Sequence, residues 1–220
     1  MAFAQFAGSK SGSATTTEGW SGLRVSYGFN TLKGVDDYDG REHSETRDIT
    51  ELSASWVKGI SLSSNMPLFL EVGPELSWVT GKLKDGEWLD FDDCKYNQIS
   101  VSIPVNIGYK IQATDDISVF PYVGLKGKFN LTENMSWKGD QSESLFDDHI
   151  FDSEETPGRR LQAGWQIGCG FNINKFHVGL SYNADLSNFA YSEYEDHYYD
   201  ESETISLKNS SIRLTVGLNF

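Results

Sequence analysis

Residues Gln98–Gln112 read QISVSIPVNIGYKIQ. Ile99, Val101, Ile103, Val105, Ile107, Tyr109 and Ile111 alternate with Ser100, Ser102, Pro104, Asn106, Gly108 and Lys110. A period of two puts successive side chains on opposite faces of a β-strand. Ordinary globular strands run to about five or six residues. This one is far longer, and it suits a strand tilted through a bilayer, which needs roughly 9 to 11.

The same period recurs on both sides of this segment. Leu23, Val25, Tyr27 and Phe29 share one face against Arg24, Ser26 and Gly28. Ile49 to Leu62, Leu68 to Lys82 and Ser118 to Leu131 repeat the pattern. So do Leu161 to Ile173, Phe176 to Leu186 and Ile212 to Phe220. The spacing predicts eight strands of about 11 to 15 residues. Short connections (Ser63–Pro67, Ala113–Ile117, Asn174-Lys175) take turns with long ones (Lys33–Asp48, Lys82–Asn97, Glu133–Gly158, Asn188–Ile205). In an antiparallel up-and-down barrel this gathers the long loops at one end. The tight turns and both termini fall at the other.

Such a barrel can be soluble, with its apolar face inside, or membrane-bound, with that face on lipid. The polar face decides between them. It is rich in Gly, Ser, Asn and Gln and poor in the Lys and Glu that cover a soluble surface. Small residues suit the crowded interior of eight strands. Phe220, Phe176, Phe171 and Tyr109 fall near the short-turn end, and Phe29, Trp78 and Tyr182 near the long-loop end. Two such bands match the aromatic girdles of a membrane barrel. The fold expected is all-β, an eight-stranded antiparallel up-and-down transmembrane β-barrel over residues 19–220. Residues 1–18 lack periodicity and read as a flexible tail. Ala2 and Ala4 resemble the end of a signal peptide, or the opening is an arbitrary expression start.

The 220 residues carry 18 Lys+Arg against 32 Asp+Glu, a net charge of −14. That excludes nucleic acid, which needs a basic footprint. The charge is not evenly spread. The four long loops hold 25 acids and 7 bases, and the rest of the chain holds 7 acids and 11 bases. The acidity therefore belongs to one end of the barrel. Two Cys cannot build a disulfide framework or a four-ligand zinc site. Cys94 lies in a loop and Cys169 on the apolar face, so no disulfide is expected between them.

The last strand ends SIRLTVGLNF, with Gly217, Leu218 and a terminal Phe220. It resembles the C-terminal strand by which bacterial outer-membrane barrels are read for assembly. Ile103-Pro104 to Tyr109-Lys110, and Pro121-Tyr122-Val123-Gly124, are similar to small porin-like barrels of the outer membrane protein β-barrel family, common in Bacteroidetes. The likeness covers Trp20 to Phe220. It implies a Gram-negative outer membrane, periplasmic termini and extracellular loops. Its implied partners are outer-membrane lipid, lipopolysaccharide and the barrel-assembly machinery. A plug domain and a peptidoglycan-binding domain are missing from the segment, so neither function carries over.

The lumen face carries Arg24, Glu51, Glu71, Glu75, Lys110, Lys126, Lys128, Asp185 and Arg213. Unpaired charges in so narrow a space are costly, so a salt-bridge network is expected, with a gated ion path as the alternative. His43, His149 and His197 fall in long loops and His177 near the turn end. A lipid-A-modifying enzyme would need one of them beside a Ser and an acid, but no fixed spacing supports this. Tyr191, Tyr194, Tyr198 and Tyr199, with Asp147 and Asp148, mark loops three and four as candidate surface-binding elements. Their carboxylates follow no calcium-loop spacing. The expected function is structural or surface-interacting, toward an extracellular ligand. The alternatives are a narrow gated channel and the lipid-modifying enzyme. A monomer without catalytic residues, metal or cofactor is expected.

Overall fold

The first strand pairs with the last. In the computed structural model, β1 (Trp20–Asp36) runs antiparallel to β12 (Glu201–Asn219) from Gly22↔Asn219 to Asp36↔Ile205. That seam closes the sheet. The structure describes residues 19–36, 42–83, 94–136, 142–144, 160–187, 190–196 and 201–220. Between the two ends of the seam lie β2 (Glu42–Ser61), β3 (Leu68–Val72), β4 (Glu75–Leu83), β5 (Cys94–Tyr109), β6 (Ile111–Gln112) and β7 (Ile117–Ser136). Then follow β8 (Ser142–Ser144), β9 (Leu161–Ile173), β10 (Phe176–Asp185) and β11 (Ala190–Asp196).

These segments form eight staves. Gly73-Pro74 interrupts one stave between β3 and β4, and Lys110 interrupts another between β5 and β6. β10 and β11 lie end to end along β12, and β8 pairs only with the far end of β7. The ring runs β1, β2, β3–β4, β5, β7, β9, β10 and back to β12, every pair antiparallel. No backbone edge then faces lipid, where nothing could satisfy it.

The register fixes the barrel's shape. Paired residues followed one way from Thr215 are Ser26, Ser53, Ser77, Ser100 and Asn130. Followed the other way they are Gly179, Gly170 and Phe120. The two routes reach β7 ten residues apart, at 130 and 120. That stagger over eight strands corresponds to a strand tilt of about 40°.

The molecule is inside-out relative to a soluble protein. Among the described residues, 24 polar or charged side chains are buried against six apolar or aromatic ones. Leu23, Val25, Ile103, Leu125, Leu180 and Leu214 stand exposed on the outer face. Phe29, Trp78, Tyr109, Phe171, Phe176, Tyr182 and Phe220 are exposed with them, as the aromatic bands require. At the tightest turn Asn174 takes φ 54°, a left-handed conformation that Asn tolerates.

Three expectations need correction. The strands are longer than 11 to 15 residues, because β1, β2, β7 and β12 span 17, 20, 20 and 19. Their ladders continue into stretches whose charge and polarity read as loop. Backbone pairing tolerates such residues once both faces of the sheet are outside lipid. Tyr191 and Tyr194 accordingly lie on strand β11, not in a loop. Finally, Trp20, Phe69 and Phe120 face the lumen, so the interior is not uniformly polar.

Gly217 sits at the seam opposite Arg24. A Cβ there would collide with the Leu23 carbonyl and the Arg24 side chain. Gly127 faces out, and its Cβ would meet nothing within 4 Å. Gly217→Ala should destabilise the barrel by about 1–3 kcal/mol, the usual cost of overpacking. Gly127→Ala should change it little. Urea unfolding from lipid vesicles checks both.

Candidate functional site

The lumen is filled in layers. The middle layer is ionic and centred on Arg213 of β12. Its Nη2 lies 2.5 Å from Glu51 Oε1, and its Nε donates to Glu51 Oε2 at 3.1 Å. Its Nη1 donates to Glu75 Oε1 at 2.9 Å. Lys126 Nζ donates to the same oxygen at 3.0 Å, and Ser102 Oγ at 3.2 Å. Staves β12, β2, β4, β5 and β7 thus meet at one point inside the barrel. The planar fork of the guanidinium suits Arg to bridging two carboxylates.

Two further pairs flank this centre. Lys128 Nζ lies 3.3 Å from Asp185 Oδ2. They sit on β7 and β10 and reach each other across β9. The ladder places Gly164 between Lys126 and Asp185, so no side chain stands in that row. Toward the short-turn end, Arg24 Nη2 lies 4.0 Å from Glu71 Oε2 and donates to Asn219 Oδ1 at 2.6 Å. Asn219 Nδ2 donates to Asn172 Oδ1, which is 2.8 Å from His177 Nδ1. His177 is buried in this network, and Gly170 and Gly179 flank its ring.

The lowest layer is an aromatic stopper. The Trp20 ring lies 4.8 Å from Phe69 and 5.5 Å from Phe120, nearly edge-on to the latter. Gly59 faces the Trp20 ring and Gly108 the Phe120 ring so closely that a Cβ at either would collide. Lys110 does not join the ionic centre: its Nζ stands 5.7 Å over Trp20, and its backbone N–H bonds the Pro67 carbonyl.

The uppermost layer holds a residue that strict alternation misplaces. Ile99 pairs with Thr132 but Ser100 with Asn130, so Leu131 is an extra residue, a β-bulge. It reverses the facing of the strand beyond it. Leu131 and Thr132 are exposed, and Glu133 turns inward, wholly buried. Its Oε1 accepts the Tyr96 hydroxyl at 2.5 Å. The sequence carried a signal for this. An unbroken period from Leu131 would aim the Glu133 carboxylate at lipid.

Among the described residues the lumen borders two small cavities, and Arg213 lines both. One, of about 20 Å³, lies on the long-loop side against Lys128, Asn183 and Asp185. The other, of about 50 Å³, lies on the short-turn side against Arg24, Glu71 and His177. These are spaces for a few waters. Gly217 faces the seam, while Leu218 and Phe220 project outward. Cys169 is a free cysteine on the outer face. Tyr198, Tyr199, Asp147, Asp148, His149 and His197 lie outside the described residues. His43 lies on β2.

A closed eight-stave barrel with an apolar exterior and a charged interior defines a membrane-spanning β-barrel. The chain matches the family model "Outer membrane protein beta-barrel domain" over residues 3–191 and belongs to that family. It is a bacterial outer-membrane protein. No curated protein matches it. Among solved structures it is similar to Ail, the attachment invasion locus protein of Yersinia pestis. That likeness has 14% identity and a TM-score of 0.40, over 92% of this chain and 99% of Ail. Neisserial surface protein A gives 12% identity and a TM-score of 0.44, over 91% and 97%. The outer-membrane enzyme PagL gives 13% and 0.39, over 87% and 97%.

Removing Arg213 would leave Glu51 and Glu75 facing each other with only Lys126 between them. Breaking a buried pair from one side costs about 3–5 kcal/mol. Arg213→Ala should therefore lower the urea midpoint markedly. Lys128→Ala should lower it less, because it orphans only Asp185.

Proposed function

We propose that this protein is a closed barrel that works by binding at its long-loop end and not by conduction or catalysis. The carrying observation is the filled lumen: among the described residues, the Arg213 centre borders water-sized spaces and the Trp20 stopper lies below it. Charge supports the same reading. The long connections hold 25 acids and 7 bases, and in this reading the acids other than the buried Glu133 gather toward one rim. A rim of one sign concentrates counter-ions and steers cationic partners. In this reading the long loops face outside, where such partners are met, and both termini face the periplasm.

Planar-bilayer recording tests the closure. The purified barrel should give no steady openings in KCl, and a regular unitary conductance would refute the reading. Orientation is tested by an epitope inserted between Asp147 and Asp148. Antibody should label intact cells through it, whereas a tag before Trp20 should need permeabilised membranes. The reverse pattern would turn the molecule over.

A further inference from the structure

One carboxyl group in the lumen has no cation. Among the described residues, Arg24, Lys126, Lys128 and Arg213 are matched by Glu71, Glu75, Asp185 and Glu51, each pair within 4.0 Å. Glu133 forms no ion pair with any of these cations. Its side chain is wholly buried, and so nearly is the Tyr96 ring whose hydroxyl donates to its Oε1. Its Oε2 meets no hydrogen-bond partner. A bare ionised oxygen in such a place costs far more than a protonated one. A buried acid without a cation therefore keeps its proton.

The bulge creates this position, because it keeps Lys128, Asn130 and Glu133 together on the lumen face of β7. The titratable and charged groups around Glu133 come from several staves. β5 contributes Tyr96, and β7 itself Lys128. β10 contributes Asp185, whose charge opposes that of Lys128 at Glu133. Arg160 precedes β9 and forms no ion pair with Glu133, and β8 sets Glu143 opposite Met135 in the ladder. The rows of the ladder climb from Val79 to Gln98 to Glu133, and Val79 already follows Trp78 of the upper aromatic band. Glu133 therefore stands beyond the hydrocarbon. Burial pushes its carboxyl up to about 7.

We propose that Glu133 is a neutral carboxylic acid that serves as a proton-operated latch at the long-loop mouth. Protonated, it ties β7 to β5 through Tyr96 and leaves Lys128 with Asp185, 3.3 Å away. When the proton leaves to solvent, the new carboxylate competes with Asp185 for Lys128. Asp185 is then released toward the cavity of about 20 Å³ that both residues line. The latch does not depend on what the loops bind.

Infrared spectroscopy of the folded, full-length barrel in detergent micelles tests it. Ordinary glutamates ionise near pH 4.3 and are almost fully charged by about pH 6. At about pH 6 the wild type should still show a carboxylic-acid carbonyl band worth one group. The band should fade toward about pH 8 and be absent from Glu133→Gln. Tyr96→Phe removes the donor to the carbonyl, so it should keep the band and move it to higher frequency. It also serves should Glu133→Gln not fold, as judged by heat-shifted mobility on a gel. Lys128→Met removes the cation that favours the ionised form. It should raise the midpoint by about one pH unit or more, a tenfold gain in proton affinity. Asp185→Asn removes the competitor and should lower it.

A spectrum without that band at about pH 6 would overturn the proposal, since every carboxyl group would then be ionised. A band that survives Glu133→Gln, or that Tyr96→Phe leaves unmoved, would assign the proton elsewhere and overturn it as well. A midpoint that Lys128→Met or Asp185→Asn leaves in place would do the same, because Lys128 would not be shared between the two acids.

Discussion

Lipid offers no hydrogen bonds, and everything else in this structure depends on that. A peptide group left unpaired in hydrocarbon costs several kcal/mol, so a sheet within it must have no edge. The pairing of β1 with β12 removes the last edge. The ends of the chain are drawn into the same seam. The Ser21 amide donates to the Phe220 carbonyl, and the Phe220 amide to that of Ser21. Arg24 adds a side-chain bond from β1 to the Leu218 carbonyl and the Asn219 side chain.

Closure then dictates the interior. Half of each stave's side chains are forced into a tube about two side chains wide. Hydroxyls suit it best, and the climbing row of Thr215, Ser26, Ser53, Ser77 and Ser100 is the result. Two of its contacts are direct hydrogen bonds, Ser26 to Thr215 at 2.8 Å and Ser77 to Ser100 at 2.7 Å. Charges are admitted where they can be paired across the axis. Glycine appears where a neighbour needs the room, as Gly108 does for Phe120, and Gly59 for Trp20.

Most of this was legible in the sequence because period two is a strict geometric rule. It assigned the facing of Leu23 to Phe29, of Ile99 to Tyr109 and of Leu161 to Ile173. It also marked the charges that face inward. What it missed has physical causes. Trp20, Phe69 and Phe120 are apolar residues on the polar face, and apolar identity alone suggests lipid. Lys110 stands over Trp20 at the short-turn end, too far along the barrel to share the ionic centre. Glu133 was read as loop because a bulge cannot be seen in a pattern that assumes none. The ends of the strands were misjudged because backbone pairing, not side-chain alternation, sets them beyond the bilayer.

The bulge at Leu131 has one more consequence. A closed ladder with a stagger of ten behaves like a screw thread cut through all eight staves at once. An added residue cannot be absorbed gradually, because any change in register must run around the whole thread and alter its pitch. The chain confines the extra residue to a point dislocation between Ile99 and Ser100 of the neighbouring strand. Pitch is preserved below it, and the facing of one strand is reset above it. A lineage of such barrels can therefore change what lines the mouth by one insertion, without re-cutting the tube.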